Sequence, residues 1–125
     1  VSAGKGEVIV KKLTDQVMVI YFGFDSDKYN FAENESLIEL VEVLRSDESL
    51  HIDISAYSDK SGTTEYNQEL SNRRSISVVE FLTSNGIRRN RLTTRGLGAT
   101  NFAVECETCT DMQNQLNRRA VLRIN

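Results

Sequence analysis

Short apolar, β-branched runs alternate in this chain with segments whose apolar residues recur at helical spacing. The strand-like runs are residues 16–22, 50–57, 91–95 and 120–124. The helical patterns are residues 30–44, 64–85 and 111–117. Helices that return the chain between strands bury their apolar faces on the sheet that the strands form. The alternation therefore predicts a two-layer α/β (α+β) sandwich, a sheet covered by helices.

Local signals set the ends of several elements. Asn30 and Glu33 fit a capping box that would open the first helix, and Gly86 is well placed to end the second helix in a left-handed conformation. Residues 16–22 are almost continuously apolar and predict a buried strand, whereas residues 50–57 alternate and predict a half-exposed one. Residues 99–110 follow two glycines and are expected to form a loop.

Size and composition limit the possible functions. The 125 residues fit one domain, which we place at residues 15–125, with residues 1–14 as a lead-in or linker remnant. Fifteen Lys and Arg against 18 Asp and Glu give a net charge of −3, which argues against nucleic acid as a partner. No run approaches the roughly 18 apolar residues of a membrane span, so no direct membrane insertion is expected. A start at Val1 favours a fragment of a larger protein.

Arg74 falls within the apolar stripe of the second helix, between Leu70 and Val78. A guanidinium in such a position needs a partner, because burying an unpaired charge costs several kcal/mol. Asp59, at the end of the second strand, is the nearest carboxylate along the chain. Spacing alone leaves two interpretations open: a structural salt bridge between Asp59 and Arg74, or a ligand site at the rim where strand and helix meet.

A longer motif carries a family resemblance. Residues 57–74 read YSDKSGTTEYNQELSNRR, and they are followed by Gly96-Leu-Gly98 and by Asn117-Arg118-Arg119. The order and spacing resemble the C-terminal domain of the OmpA family, which is shared by outer-membrane porins, the peptidoglycan-associated lipoprotein and flagellar motor stator proteins. The resemblance covers about residues 17–124 and implies the OmpA-like βαβαβ(α)β fold with a mixed sheet. Residues 21–25 most resemble the lipoprotein branch.

The resemblance implies non-covalent binding of the peptidoglycan stem peptide through diaminopimelate, without catalysis or a cofactor. The family pattern assigns Asp59 to the ligand ammonium and Arg74 to its carboxylate, a forked and charge-assisted pair. The further ligand-binding positions that it implies are Phe24, Asp25, Leu70, Asn67 and Arg118. The implied location is the periplasm of a Gram-negative bacterium, with a parent protein in the outer membrane. The alternative is a structural or protein-interaction domain in which Asp59 and Arg74 only form a salt bridge.

Two departures from the family pattern concern the site. Ala56-Tyr57-Ser58 stands where the family usually has Gly-His-Thr, so we expect Tyr57 to form a bulkier, aromatic wall of the rim. Residues 96–102 lack the usual acid and proline of the loop that they begin.

Cys106 and Cys109 form a C-x-x-C pair that fits a disulfide, a redox pair or half of a metal site. A structural zinc site needs about two more ligands, and the single histidine, His51, lies on a distant strand. In a periplasmic domain the two thiols are expected to oxidise, so a disulfide is favoured, and no metal is expected. His51 alternates onto the polar face of its strand and is expected at the surface.

Overall fold

The computed structural model describes residues 17–125, so the predicted lead-in of residues 1–14 lies outside the described part of the chain. The strands are β1 (Val17–Tyr21), β2 (Ile52–Ala56), β3 (Leu92–Gly96) and β4 (Arg119–Ile124). They form one sheet in the order β1-β4-β2-β3. β4 is antiparallel to both of its neighbours, whereas β2 and β3 are parallel. The predicted mixed sheet is confirmed.

The α-helices are α1 (Glu35–Ser46), α2 (Thr64–Ser84) and α3 (Asp111–Asn117). Short 3₁₀ turns cover Phe31–Glu33 and Arg89–Arg91. α2 begins at the N-cap Thr63, whose side chain accepts a hydrogen bond from the Tyr66 backbone N–H, and it is followed by Gly86 at a φ of +89°. The left-handed glycine after the second helix is therefore confirmed.

The core lies between the sheet and the two longer helices. Ile52, Ile54 and Ala56 of β2 point into it, as their alternation predicts, and each exposes at most 1% of its surface. α1 contributes Leu37, Leu40, Val41 and Leu44, and α2 contributes Val78 and Leu82. The two-layer α+β sandwich is thus confirmed.

Gly96 lets α2 lie close to β3. A Cβ atom at this position would stand 2.5 Å from the backbone nitrogen of Asn72, which is far inside van der Waals contact. Asn72 lies two residues before Arg74, so this close approach fixes the height of Arg74 over the sheet.

Two local predictions were wrong. α1 is capped by Asn34, whose side chain accepts from the Leu37 N–H, and residues 31–33 form the 3₁₀ turn instead of a first helical turn. β1 is an edge strand, with Val17, Val19 and Tyr21 between 37% and 42% exposed, because β4 inserts between it and β2.

Within residues 17–125 no helix is both long enough and apolar enough to cross a membrane.

Candidate functional site

A cleft of about 170 Å³ opens where the chain leaves β1 and β2 and enters α2. All seven ligand-binding positions that the sequence predicted line this cleft: Phe24, Asp25, Asp59, Asn67, Leu70, Arg74 and Arg118. They come from four separate parts of the chain. The cleft is smaller than the roughly 300–1,000 Å³ of pockets for drug-sized ligands, and it suits a group of amino-acid size.

Asp59 is 5% exposed and uses both carboxylate oxygens. Oδ1 accepts a 2.8 Å hydrogen bond from the Ser61 backbone N–H, which shapes the turn leading to α2. Oδ2 forms a 3.2 Å salt bridge with Nη1 of Arg118. Arg118 also donates from Nε to the Phe22 carbonyl at 3.2 Å, so one guanidinium joins the end of β1 to the end of β2.

Arg74 is fully buried and donates to three backbone carbonyls. Nε donates to the Ser26 carbonyl at 2.8 Å, Nη1 donates to the Tyr57 carbonyl at 3.0 Å, and Nη2 donates to the Gly23 carbonyl at 3.1 Å. A guanidinium carries five N–H groups, so two remain beyond these three bonds, one on each Nη atom. The Phe22 ring packs 5.3 Å from the guanidinium carbon.

The structural salt bridge between Asp59 and Arg74, one of the two interpretations that their spacing left open, does not form in the described residues 17–125. Within residues 17–125 the carboxylate of Asp59 pairs with Arg118, and no carboxylate lies within 4.0 Å of the Arg74 guanidinium. Backbone carbonyls satisfy Arg74 because the loop after β1 and the end of β2 both turn their oxygens toward it. Burial lowers the pKa of Arg74 to about 10, and the negative charge of nearby Asp59 opposes that shift. Arg74 therefore keeps its charge at neutral pH.

Phe24 and Asp25 form one lip of the cleft. Phe24 is 69% exposed, so its ring does not pack in the core. Asp25 has a φ of +52°, a left-handed conformation that is uncommon for non-glycine residues, although aspartate and asparagine are enriched in it. Strained backbone of this kind concentrates at ligand sites.

The floor and the opposite lip come from α2 and the turn before it. Leu70 and Asn67 are both 5% exposed, and the Asn67 side chain donates to the Gly62 carbonyl at 3.2 Å. Ser61, Gly62 and Tyr66 also line the cleft, and sequence reasoning did not assign them to it. Their positions next to Asp59 and Asn67 in the chain were the signal that could have found them.

Tyr57 does not form a wall of the cleft. Side chains alternate along β2, so Tyr57 lies on the face of the sheet opposite to Ala56, away from the helices. Its ring lies 4.0 Å from the guanidinium carbon of Arg119, which occupies the same face of β4. The expected aromatic wall is therefore wrong.

Cys106 and Cys109 form a disulfide in the loop between β3 and α3. This loop reaches the turn beside the cleft, because the Lys60 ammonium donates to the Cys106 carbonyl and lies 5.1 Å from the centre of the Phe102 ring. Among residues 17–125 no group of three or more His, Cys, Asp or Glu side chains is placed to hold a metal ion.

The cleft has two acids and two bases in its lining: Asp25, Asp59, Arg74 and Arg118. The charges of opposite sign balance, and Leu70 supplies an apolar floor between them. Such a surface complements a zwitterion with an aliphatic stem better than it complements an anion or a cation alone.

The fold and the cleft together define a class: a small α+β domain with a charged cleft of amino-acid size at one edge of its sheet. The OmpA family matches residues 21–116, which is more than half of the chain, and the chain belongs to this family.

The chain is similar to a peptidoglycan-associated lipoprotein of Brucella melitensis, with 31% identity over 106 residues that cover 85% of this chain and 62% of that protein. It is 30% identical over 98 residues to outer membrane protein A of Buchnera aphidicola, covering 77% of this chain and 28% of that protein. It therefore spans less than two thirds of either relative. The crystal structure of the peptidoglycan-associated lipoprotein from Burkholderia pseudomallei aligns with a TM-score of 0.78 and 27% identity, over 86% of this chain and 89% of that one.

Proposed function

We propose that this domain binds peptidoglycan non-covalently through the diaminopimelate residue of the stem peptide, without cleaving it. In this proposal the domain faces the periplasm of a Gram-negative bacterium and anchors an outer-membrane protein or lipoprotein to the cell wall. The observation that carries the proposal is the balanced cleft, in which Asp59, Arg74 and Arg118 meet over the apolar side chain of Leu70. The names of the relatives, a peptidoglycan-associated lipoprotein and an outer membrane protein, support the same partner and location.

Diaminopimelate in a stem peptide ends in a carbon that carries an ammonium and a carboxylate. Asp59 accepts from the ammonium, and the two remaining Arg74 N–H groups donate to the carboxylate. Arg74 lines the cleft but is fully buried, so the lining must shift to expose these two N–H groups. The Asp59–Arg118 salt bridge must open or admit the ammonium as a third member. Its side chains are 7% and 12% exposed, so a ligand can reach them from the cleft.

The decisive variant is Asp59→Asn, because the amide still accepts from the Ser61 N–H but carries no charge. A charge-assisted hydrogen bond contributes about 1.5–3 kcal/mol, so we expect binding to purified sacculi to weaken by at least about tenfold. The measurement is co-sedimentation with sacculi that contain diaminopimelate. Asp53→Asn is the matched control, because Asp53 lies on the sheet face away from the helices and should pellet like the parent.

Sacculi that carry lysine in place of diaminopimelate test the ligand itself, since lysine lacks the second carboxylate. The parent domain should pellet with the first kind of sacculi and stay in the supernatant with the second. Equal pelleting with both would disprove recognition of diaminopimelate while leaving wall binding intact. Release of soluble muropeptides during incubation would contradict the non-catalytic part of the proposal.

A further inference from the structure

A second cavity, of about 340 Å³, lies at the end of the sheet opposite the cleft. It opens beside His51, immediately before β2 begins, whereas the cleft follows the other end of β2. Five strand residues at about 3.3 Å each place roughly 17 Å of sheet between the two. Three arginines line this second cavity, Arg45, Arg88 and Arg91, and Glu48 is the one carboxylate among its lining residues.

The cavity concentrates positive charge in a chain whose net charge is −3. Within the described range of residues 17–125, no carboxylate lies within 4.0 Å of Arg45, Arg88 or Arg91. With Glu48 subtracted, the lining carries two net positive charges before any protonation of His51. Three arginines that line one concave surface without ion pairs attract an anion, although the negative charge of Asp47 beside the cavity acts on Arg91.

Two of the three guanidiniums are held in place by carbonyl groups, which fix their position without neutralising their charge. Arg45 donates from Nε to Asn85 at 2.8 Å. Arg91, only 9% exposed, donates from Nε to Leu50 at 3.1 Å and from Nη2 to Asp47 at 2.7 Å. Arg91 is both desolvated and oriented, and the exposed Arg45 is oriented, so neither loses much further freedom when an anion binds.

We propose that this second cavity binds an anionic phosphate group, carried either by a phosphorylated small molecule or by a lipid headgroup. The planar guanidinium group matches the geometry of phosphate oxygens, because it can donate two parallel hydrogen bonds to one phosphate. The volume exceeds the need of a bare phosphate and leaves space for the group that carries it. The proposal is independent of peptidoglycan binding at the cleft.

The test is a titration of the 125-residue chain with inorganic phosphate at constant ionic strength, followed by NMR of the backbone and arginine N–H groups. Saturable shifts should concentrate at Arg45, Arg88 and Arg91. Arg88→Gln should weaken phosphate binding by about tenfold, the loss of one charge-assisted contact. Folding should survive, because within residues 17–125 the exposed Arg88 side chain makes no hydrogen bond to the protein. Sacculus binding should match the parent.

Arg95→Gln is the matched control, since Arg95 is an exposed arginine of β3 outside the cavity and the charge change is the same. Equal weakening by both variants, or shifts spread over the whole surface, would overturn the proposal. So would the absence of saturation.

Vesicles separate the two sources of the phosphate. If the lipid headgroup is the source, the parent domain pellets with phosphatidylglycerol vesicles but not with phosphatidylcholine vesicles. The Arg88→Gln variant should then no longer pellet with phosphatidylglycerol vesicles. Saturable phosphate binding without pelleting supports a phosphorylated small molecule.

Discussion

At the scale of single residues, Arg74 needs partners for its buried charge, as the sequence indicated, but these partners are not the expected carboxylate. Its place in an apolar stripe demands compensation for a buried charge, and the sequence offered Asp59 as the partner. Three backbone carbonyls compensate the buried charge instead. Carbonyl dipoles can satisfy a guanidinium because it has five donors in one plane. The arrangement also gives Arg74 a structural role, since it joins the loop after β1 to the end of β2.

We therefore predict that Arg74→Ala destabilises the domain by about 3–5 kcal/mol, because it leaves a cavity and removes three charge-assisted hydrogen bonds. The free energy of unfolding in urea measures this. Arg73→Ala is the control: Arg73 is its partly exposed neighbour, paired near the surface with Asp27 and Glu69, and its loss should cost at most about 1 kcal/mol. Similar losses in the two variants would contradict a structural role for Arg74. Asp59→Asn is consequently the cleaner probe of binding.

At the scale of secondary-structure elements, the start of α1 shows two cap signals in competition. Asn30 and Glu33 have the spacing of a capping box, but Tyr29 and Phe31 pack their rings at 5.0 Å, and Phe31 stacks on Phe81 of α2 at 5.1 Å. This aromatic packing accompanies a 3₁₀ turn at residues 31–33 and delays the helix to Glu35. Helix ends depend on tertiary contacts as well as on local caps.

Asn34→Ala should cost about 1 kcal/mol of folding free energy, the usual loss for an N-cap whose side chain accepts a backbone N–H. Its hydrogen bond to the Tyr29 hydroxyl, 2.8 Å long, would be lost as well. Asn30→Ala, with no side-chain cap bond, should change the urea midpoint little. A larger loss for Asn30→Ala than for Asn34→Ala would show that the helix starts earlier in solution.

At the scale of the whole molecule, the loop between β3 and α3 is held at several points. The buried Asn117 side chain donates to the Val104 carbonyl at 3.0 Å and accepts from the Val104 N–H at 3.1 Å. Lys60 connects the same loop to the turn beside the cleft, because its ammonium donates to the Cys106 carbonyl. The disulfide closes only a short ring within this loop, so it fixes the local backbone conformation of a loop that other contacts already hold in place.

Replacing both cysteines with serine should lower the free energy of unfolding by about 2 kcal/mol at most, since a four-residue ring restricts the unfolded chain very little. Sacculus binding should be retained, because neither cysteine lines the cleft. Urea unfolding of the oxidised parent and the double variant measures the first point, and co-sedimentation measures the second. Loss of binding in a folded double variant would show that the disulfide positions the cleft.

The sequence by itself determined the elements and the residues that gather at the cleft. Periodicity and end signals were enough for α2, which starts at Thr64 as predicted and ends one residue early, and for α3, which spans residues 111–117 as predicted. The resemblance to the OmpA family implied that seven residues belong to one site. The fold brings them together because the loop after β1, the end of β2, α2 and the residue before β4 meet at one edge of the sheet.

Only the tertiary structure decided which groups pair. Arg118 lies 59 residues from Asp59 in the chain, and it reaches both Asp59 and Phe22 because β4 enters the sheet between β1 and β2. The same insertion leaves β1 at the edge and puts Tyr57 beside Arg119. Strand order is a long-range property, since it depends on how whole elements pack, and no local pattern in the sequence carries it.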